Sequence, residues 1–109
     1  MVRFNCGVYM ILNVVSRKMY VGSTAGTFKG RWADHRRQLR GNYHYNIHLQ
    51  RSWNKHGEEQ FRFYILERCA PEKCLELEQV YMDRFDVCKK GYNRRLLASS
   101  CLGMKHTPE

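Results

Sequence analysis

The sequence predicts an α+β fold, a small three-stranded antiparallel sheet covered by helices in the order strand, strand, helix, helix, strand, helix. Three observations carry that expectation. Two short apolar runs near the N-terminus are separated by a brief polar break, as a hairpin requires. Two segments with helical periodicity follow, each bounded by a capping residue and a glycine. A further segment with strand periodicity then precedes a last amphipathic run.

Each element has its own justification. Gly7-Val8-Tyr9-Met10-Ile11-Leu12-Asn13 is almost continuously apolar between Gly and Asn and reads as a buried strand. Residues 17–22 form its hairpin partner. A turn centred on Val14 and Val15 would set Tyr9 directly opposite Tyr20, with both rings on one face. Valine suits tight turns poorly, so a longer loop and a shifted register stay open. Thr27 fits the N-cap of a helix over Phe28–Arg40, in which Phe28, Trp32, His35 and Leu39 recur at helical spacing and Gly41 ends the run. Asn46 caps a second helix, with Leu49 and Trp53 facing inward and Gly57 stopping it. Over residues 60–68, Phe61, Phe63 and Ile65 point one way and Arg62, Tyr64 and Leu66 the other. Pro71 and Glu72 open the last helix in the manner favoured at a first turn. Its apolar face is Cys74, Leu77, Tyr81, Met82 and Phe85, and Glu78 falls in the middle of it. A carboxylate there is costly unless it is paired or metal-bound.

A chain of 109 residues allows one modest core. No stretch approaches the roughly 20 consecutive apolar residues of a membrane span. The N-terminus runs directly into patterned sequence, so no secretion signal is expected. The five cysteines, Cys6, Cys69, Cys74, Cys88 and Cys101, lack CxxC spacing and read as reduced thiols that mostly fill the core of an intracellular protein. His44 and His48 resemble half a zinc site, but no second pair completes it.

The formal net charge of +9 is unevenly spread. Residues 29–57 hold seven basic side chains and one acid, whereas residues 58–86 hold four basic side chains and eight acids. A concentrated basic stripe suits a phosphate backbone. A merely soluble basic surface would carry the same total, so charge favours a nucleic acid without deciding for one.

Gly7-Val8-Tyr9, Tyr20-Val21-Gly22, Arg31 followed by His35, Glu78 in Leu77-Glu78-Gln79, and Gly91-Tyr92-Asn93 together resemble the GIY-YIG nuclease family. Valine replaces isoleucine in both name-giving triplets. The resemblance covers residues 6–95 and is similar to the phage intron homing branch through His44 and Leu49-Gln50-Arg51-Ser52-Trp53-Asn54-Lys55-His56-Gly57.

That resemblance implies a metal-dependent DNA endonuclease domain over residues 1–95. It implies a monomer acting on double-stranded DNA in the cytoplasm of a bacterial host, with a phage as its source. Residues 96–109 would begin a C-terminal linker or DNA-binding module supplying specificity, and Thr107-Pro108-Glu109 would announce a further helix. Glu78 would bind Mg²⁺, with Mn²⁺ as a substitute, because a single hard carboxylate suits an ion that keeps its waters. Arg31 would clamp phosphate oxygens. Tyr9 would act as the base on the attacking water, Tyr20 and His35 would orient the water and Tyr9, and Asn93 would brace the site. His44 would contact substrate or relay a proton. Lys18, Lys29, Arg36, Arg40, Arg51 and Lys55 are the candidate DNA contacts. A non-catalytic DNA-binding module on the same scaffold, or a restriction or repair nuclease, are the competing readings.

Overall fold

The computed structural model describes residues 4–93. The expected C-terminal module over 96–109, with Cys101, lies outside the described residues. The elements are β1 (Gly7–Asn13), β2 (Met19–Thr24), α1 (Phe28–Arg40), α2 (Ile47–His56), β3 (Phe61–Arg68), α3 (Cys74–Phe85) and α4 (Val87–Lys90). Single 3₁₀ turns at Glu58–Gln60 and Pro71–Lys73 lead into β3 and α3. All pairings are antiparallel and the strand order is β2-β1-β3. The architecture is the α+β layer that the sequence predicts, with the short α4 added.

The hairpin corrects one expectation. Tyr9 pairs with Gly22, and Tyr20 pairs with Ile11. The cause is Asn13, whose Oδ1 accepts from the backbone N–H of Val15 at 2.9 Å and of Ser16 at 3.3 Å. This side-chain turn starts the loop one residue before the valines. Arg17, in the left-handed region at φ 69°, returns the chain, and Asn13 N–H closes the loop on the Lys18 carbonyl at 3.0 Å. The register moves by two residues, so every side chain keeps its face. Tyr9 and Tyr20 therefore remain neighbours on one side of the sheet, as a diagonal pair.

β1 is the central strand and feeds both faces of the sheet. On one face Tyr9, Ile11, Tyr20 and Phe61 pack with Phe28 and Leu39 of α1, Leu49 and Trp53 of α2, and Tyr92. On the other, Val8 and Val21 pack with Met82 of α3 and Val87 of α4, flanked by Met10, Met19, Leu66 and Leu77. β3 slips register between the partners of Val8 and Tyr9. Ile65, in the last pair before the slip, is 38% exposed, where simple alternation would bury it beside Phe63.

Local signals place the helices. Thr27 Oγ1 accepts from Gly30 N–H and Asn46 Oδ1 from Leu49 N–H, each at 3.0 Å, satisfying donors that helix starts leave open. Glycines at 41 and 57 follow α1 and α2, and left-handed Asp86 ends α3. The four cysteines within the described residues are free thiols, three of them buried.

Candidate active site

Gly22 explains how the two tyrosines share a face. A Cβ added to Gly22 would lie 2.6 Å from Tyr9 Oη and 3.0 Å from the Tyr20 ring, so only glycine lets the Tyr9 phenol lie across β2. Gly7 answers a separate constraint. Its φ is +147°, and a Cβ would meet the Glu67 carbonyl at 2.1 Å. The glycine of the first triplet thus meets a backbone constraint in β1, and that of the second leaves room on β2 for the two tyrosine rings.

Above this face stands α1. His35, just past its midpoint, is 1% exposed, and the Tyr9 and Tyr20 rings both turn their edges to it at 5.6 Å between centroids. His35 Nε2 lies 2.7 Å from Tyr9 Oη, and His35 Nδ1 lies 2.7 Å from His44 Nε2. Arg31, one turn earlier, places its charge close enough to the Tyr9 hydroxyl to act on it. The helical spacing of Arg31 and His35 therefore delivers a cation and an imidazole to one phenol oxygen.

Burial dominates the electrostatics. It pushes the Tyr9 and Tyr20 phenols well above their usual range, and the Arg31 charge pulls Tyr9 part of the way back. His35 is lowered to about 2 and His44 to about 4, first by burial and then by Arg31. Both imidazoles are neutral at physiological pH.

Glu78 reaches the same region from α3. It is 8% exposed, and its Oε1 accepts from Ser23 Oγ at 2.5 Å. Burial raises its pKa, while the Ser23 hydroxyl and the Arg31 charge oppose the rise. Among the described residues no group of three or more His, Cys, Asp and Glu side chains converges. A lone buried carboxylate beside a serine hydroxyl offers only hard oxygens. That donor set fits a hydrated divalent cation bridging to a phosphate, and it does not fit zinc. His44 is likewise no zinc ligand, because both of its ring nitrogens already have partners, in His35 and in the Asn46 N–H.

Asn93 lies against β2. Its Oδ1 accepts from Val21 N–H at 2.8 Å and its Nδ2 donates to the Val21 carbonyl at 2.9 Å, between Tyr20 and Gly22. The basic candidates are dispersed. Lys18, Lys29, Arg51 and Lys55 are exposed, Arg36 stacks 4.3 Å from the Phe63 ring centre, and Arg40 is held by both carboxylate oxygens of Glu58. The last two are not brought to the tyrosines, and Arg40 already has an anion.

Several groups at the site carry no sequence signal of their own. The Tyr45 ring stacks on His44 with centroids 4.5 Å apart, and its hydroxyl bonds that of Tyr20. Ser23 on Glu78 is a second. Gln50 is a third: it accepts from His44 N–H at 2.9 Å and donates to the Leu39 carbonyl at 3.0 Å, tying the His44 loop to both helices.

Comparison with known proteins accords with this arrangement. The sequence profile described as the GIY-YIG catalytic domain matches residues 5–93. Intron-associated endonuclease 1 of Enterobacteria phage T4 is 42% identical over 89 residues, covering 80% of this chain and 36% of the relative. Probable intron-encoded endonuclease 1 of Neurospora crassa is 36% identical over 110 residues, covering 94% of this chain and 34% of the relative. The chain thus spans about a third of the length of these curated relatives. Among solved structures, the catalytic domain of the homing endonuclease I-TevI superposes with a TM-score of 0.77 at 35% identity, covering 83% of this chain and 98% of that one. A mutant of the same domain gives 0.79 at 33% identity, covering 87% and 96%.

Proposed function

The chain belongs to the GIY-YIG catalytic domain family, and from that premise we propose that it is the DNA-cutting part of an intron homing endonuclease, hydrolysing phosphodiester bonds with Mg²⁺. The observation that carries this reading is the convergence of Tyr9, His35 and Arg31 on one phenol oxygen, with Glu78 as the lone carboxylate nearby. A binding module would gain nothing from burying Glu78 without a full ion pair.

The residues divide the work as follows. Arg31 holds nonbridging phosphate oxygens through its planar fork. Tyr9 takes the proton of the attacking water once it is in its phenolate form, which the Arg31 charge favours. Tyr9 is fully buried, so Arg31, half-buried and with its charge acting on the phenol, is the group whose movement onto a phosphate would expose it. Tyr20, bonded to Tyr45, orients the water from the side. Glu78, with the Ser23 hydroxyl beside it, would hold Mg²⁺, with Mn²⁺ as a substitute. Bound there, the cation would stabilise charge on the phosphate and the leaving 3′ oxygen. Asn93 keeps β2, and so Tyr20 and Gly22, in place.

Double-stranded DNA is the substrate in this reading, approached by the exposed Lys18, Lys29, Arg51 and Lys55. Sequence choice would come from a region beyond this domain, since phosphate contacts position without specifying. We place the reaction in the cytoplasm of a bacterial host, by analogy with the phage T4 relative.

The test is nicking of supercoiled plasmid with Mg²⁺ by the unaltered chain, Glu78→Ala and Arg31→Ala. Open-circle product from the unaltered chain alone is the expected result. Equal nicking by all three would overturn the site, and salt-sensitive binding without nicking would favour the binding module.

A further inference from the structure

From the hydrogen-bond polarity of the buried histidines we infer that His44 is a positioning residue. It locks His35 in the tautomer that donates to Tyr9, so that the Tyr9 proton never passes into the histidine chain. The inference rests on the proposed role of Tyr9 and goes beyond it.

The polarity is set at the far end, by the backbone. The Asn46 N–H can only donate, and it donates to His44 Nδ1 at 3.0 Å. His44 Nδ1 therefore carries no hydrogen, and the ring hydrogen is on Nε2. That hydrogen points at His35 Nδ1, 2.7 Å away. His35 Nδ1 must in turn be bare, so the hydrogen of His35 is on Nε2 and is donated to Tyr9 Oη at 2.7 Å. One backbone donor thus fixes three successive hydrogen bonds. A doubly protonated ring at either position would set two N–H groups against each other.

The surroundings hold this arrangement in place. Asn46 is the N-cap of α2, and its side chain also donates to the Tyr92 carbonyl at 2.9 Å. Gln50 fixes the His44 backbone. His35 and His44 are 1% and 6% exposed, and their ring planes lie within 19° of one another. This burial shields both rings from solvent.

The chemical consequence is directional. Tyr9 Oη receives the N–H of His35 and feels the nearby Arg31 charge, and both favour a phenolate. Its own hydrogen is turned away from His35, and a water proton accepted by the phenolate arrives from that same side. Passage of the Tyr9 proton to His35 would need both tautomers reversed, with an N–H on His44 Nδ1 facing the N–H of Asn46. His44 is therefore not a relay.

Long-range nitrogen–proton correlation NMR on the 109-residue chain reads each ring nitrogen directly. At neutral pH, His35 and His44 should each show hydrogen on Nε2 and a bare Nδ1. Hydrogen on His35 Nδ1 would overturn the inference, and this measurement needs no variant and no activity. Loss of nicking would remove the proposed function while leaving the ring assignment to be decided separately.

Two substitutions then test positioning against bulk structure. His44→Leu, folded by its own spectrum, should leave His35 in mixed tautomers and slow single-turnover nicking by about tenfold or more without weakening DNA binding. His44→Gln places an amide donor near the old Nε2, and it should restore the His35 tautomer and recover most of the lost rate. If the glutamine variant is as slow as the leucine variant, or if the leucine variant keeps a single His35 tautomer, the assignment is wrong.

Discussion

The two faces of the sheet are built on opposite principles although one strand supplies both. Behind β1, Val8 meets Val21, Met82 and Val87 in a seam of interchangeable aliphatic and thioether groups. In front, the neighbouring residue Tyr9 enters a core that also holds buried Asn13, His35, His44, Asn46 and Gln50. Each of these polar groups has a partner at hydrogen-bond distance. The rear face is held by burial, which is tolerant of shape and indifferent to direction. The front face is held by directed bonds, costly when any one is missing. The proposed chemistry sits on the face where geometry is over-determined, and Glu78 of the rear helix acts on that face through its charge.

The sharpest way to break this contrast is at the phenol. Tyr9→Phe keeps the ring and removes the oxygen on which the front face converges, and should lower plasmid nicking by about 10²- to 10⁴-fold. Met82→Ala addresses the rear face. It should cost about 2–5 kcal/mol in a denaturant titration, while nicking per folded molecule at low temperature stays near that of the unaltered chain. A result in which Met82→Ala hurt chemistry more than stability would erase the division of labour.

Acid probes the buried histidines of the front face. The folded pKa values of about 2 for His35 and about 4 for His44 lie below the ordinary 6.5. The unfolded chain therefore takes up protons first as pH falls, so their contribution is fully present above about 6.5 and is lost toward 4 and below. His35 sets a slope of about 1.4 kcal/mol per pH unit through that window. Glu78, whose pKa is raised, acts in the opposite sense and offsets part of the loss. Thermal melts at stepped pH should show falling stability below 6.5, and His35→Leu, if folded, should flatten the slope. The smallest effects belong to the surface. Arg51→Ala should reduce the salt slope of DNA binding by about 1, whereas Arg40→Ala, starting from a guanidinium already held by Glu58, should change it less and leave the melting temperature unmoved.

Much of this was legible in the sequence because it is local. Thr27, Gly41, Asn46 and Gly57 bound their helices where cap chemistry places them, and Glu78 was conspicuous as an acid on an apolar stripe. The hairpin register was not legible, since it depends on Asn13 capturing two amides ahead of the valines. The slip in β3 arises only from pairing with β1, and α4 is too short to show a period. Tyr45 belongs to a loop without periodicity, and its partner Tyr20 lies 25 positions away. His44 was legible as a candidate, but its orientation was not, because that comes from a backbone N–H that no side-chain pattern encodes.

The Asn93 amide has a further consequence, for how a sheet edge is covered. β2 is an edge strand, and the outward N–H and C=O of Val21 are the groups an intruding strand from another copy would capture. The Asn93 side chain occupies both, and the adjacent Tyr92 N–H occupies the Met19 carbonyl at 2.9 Å. Residues 92 and 93 thus occupy groups on β2 that a strand of another copy would need. They cover part of the sheet edge beside Tyr20, and so oppose edge-to-edge pairing there.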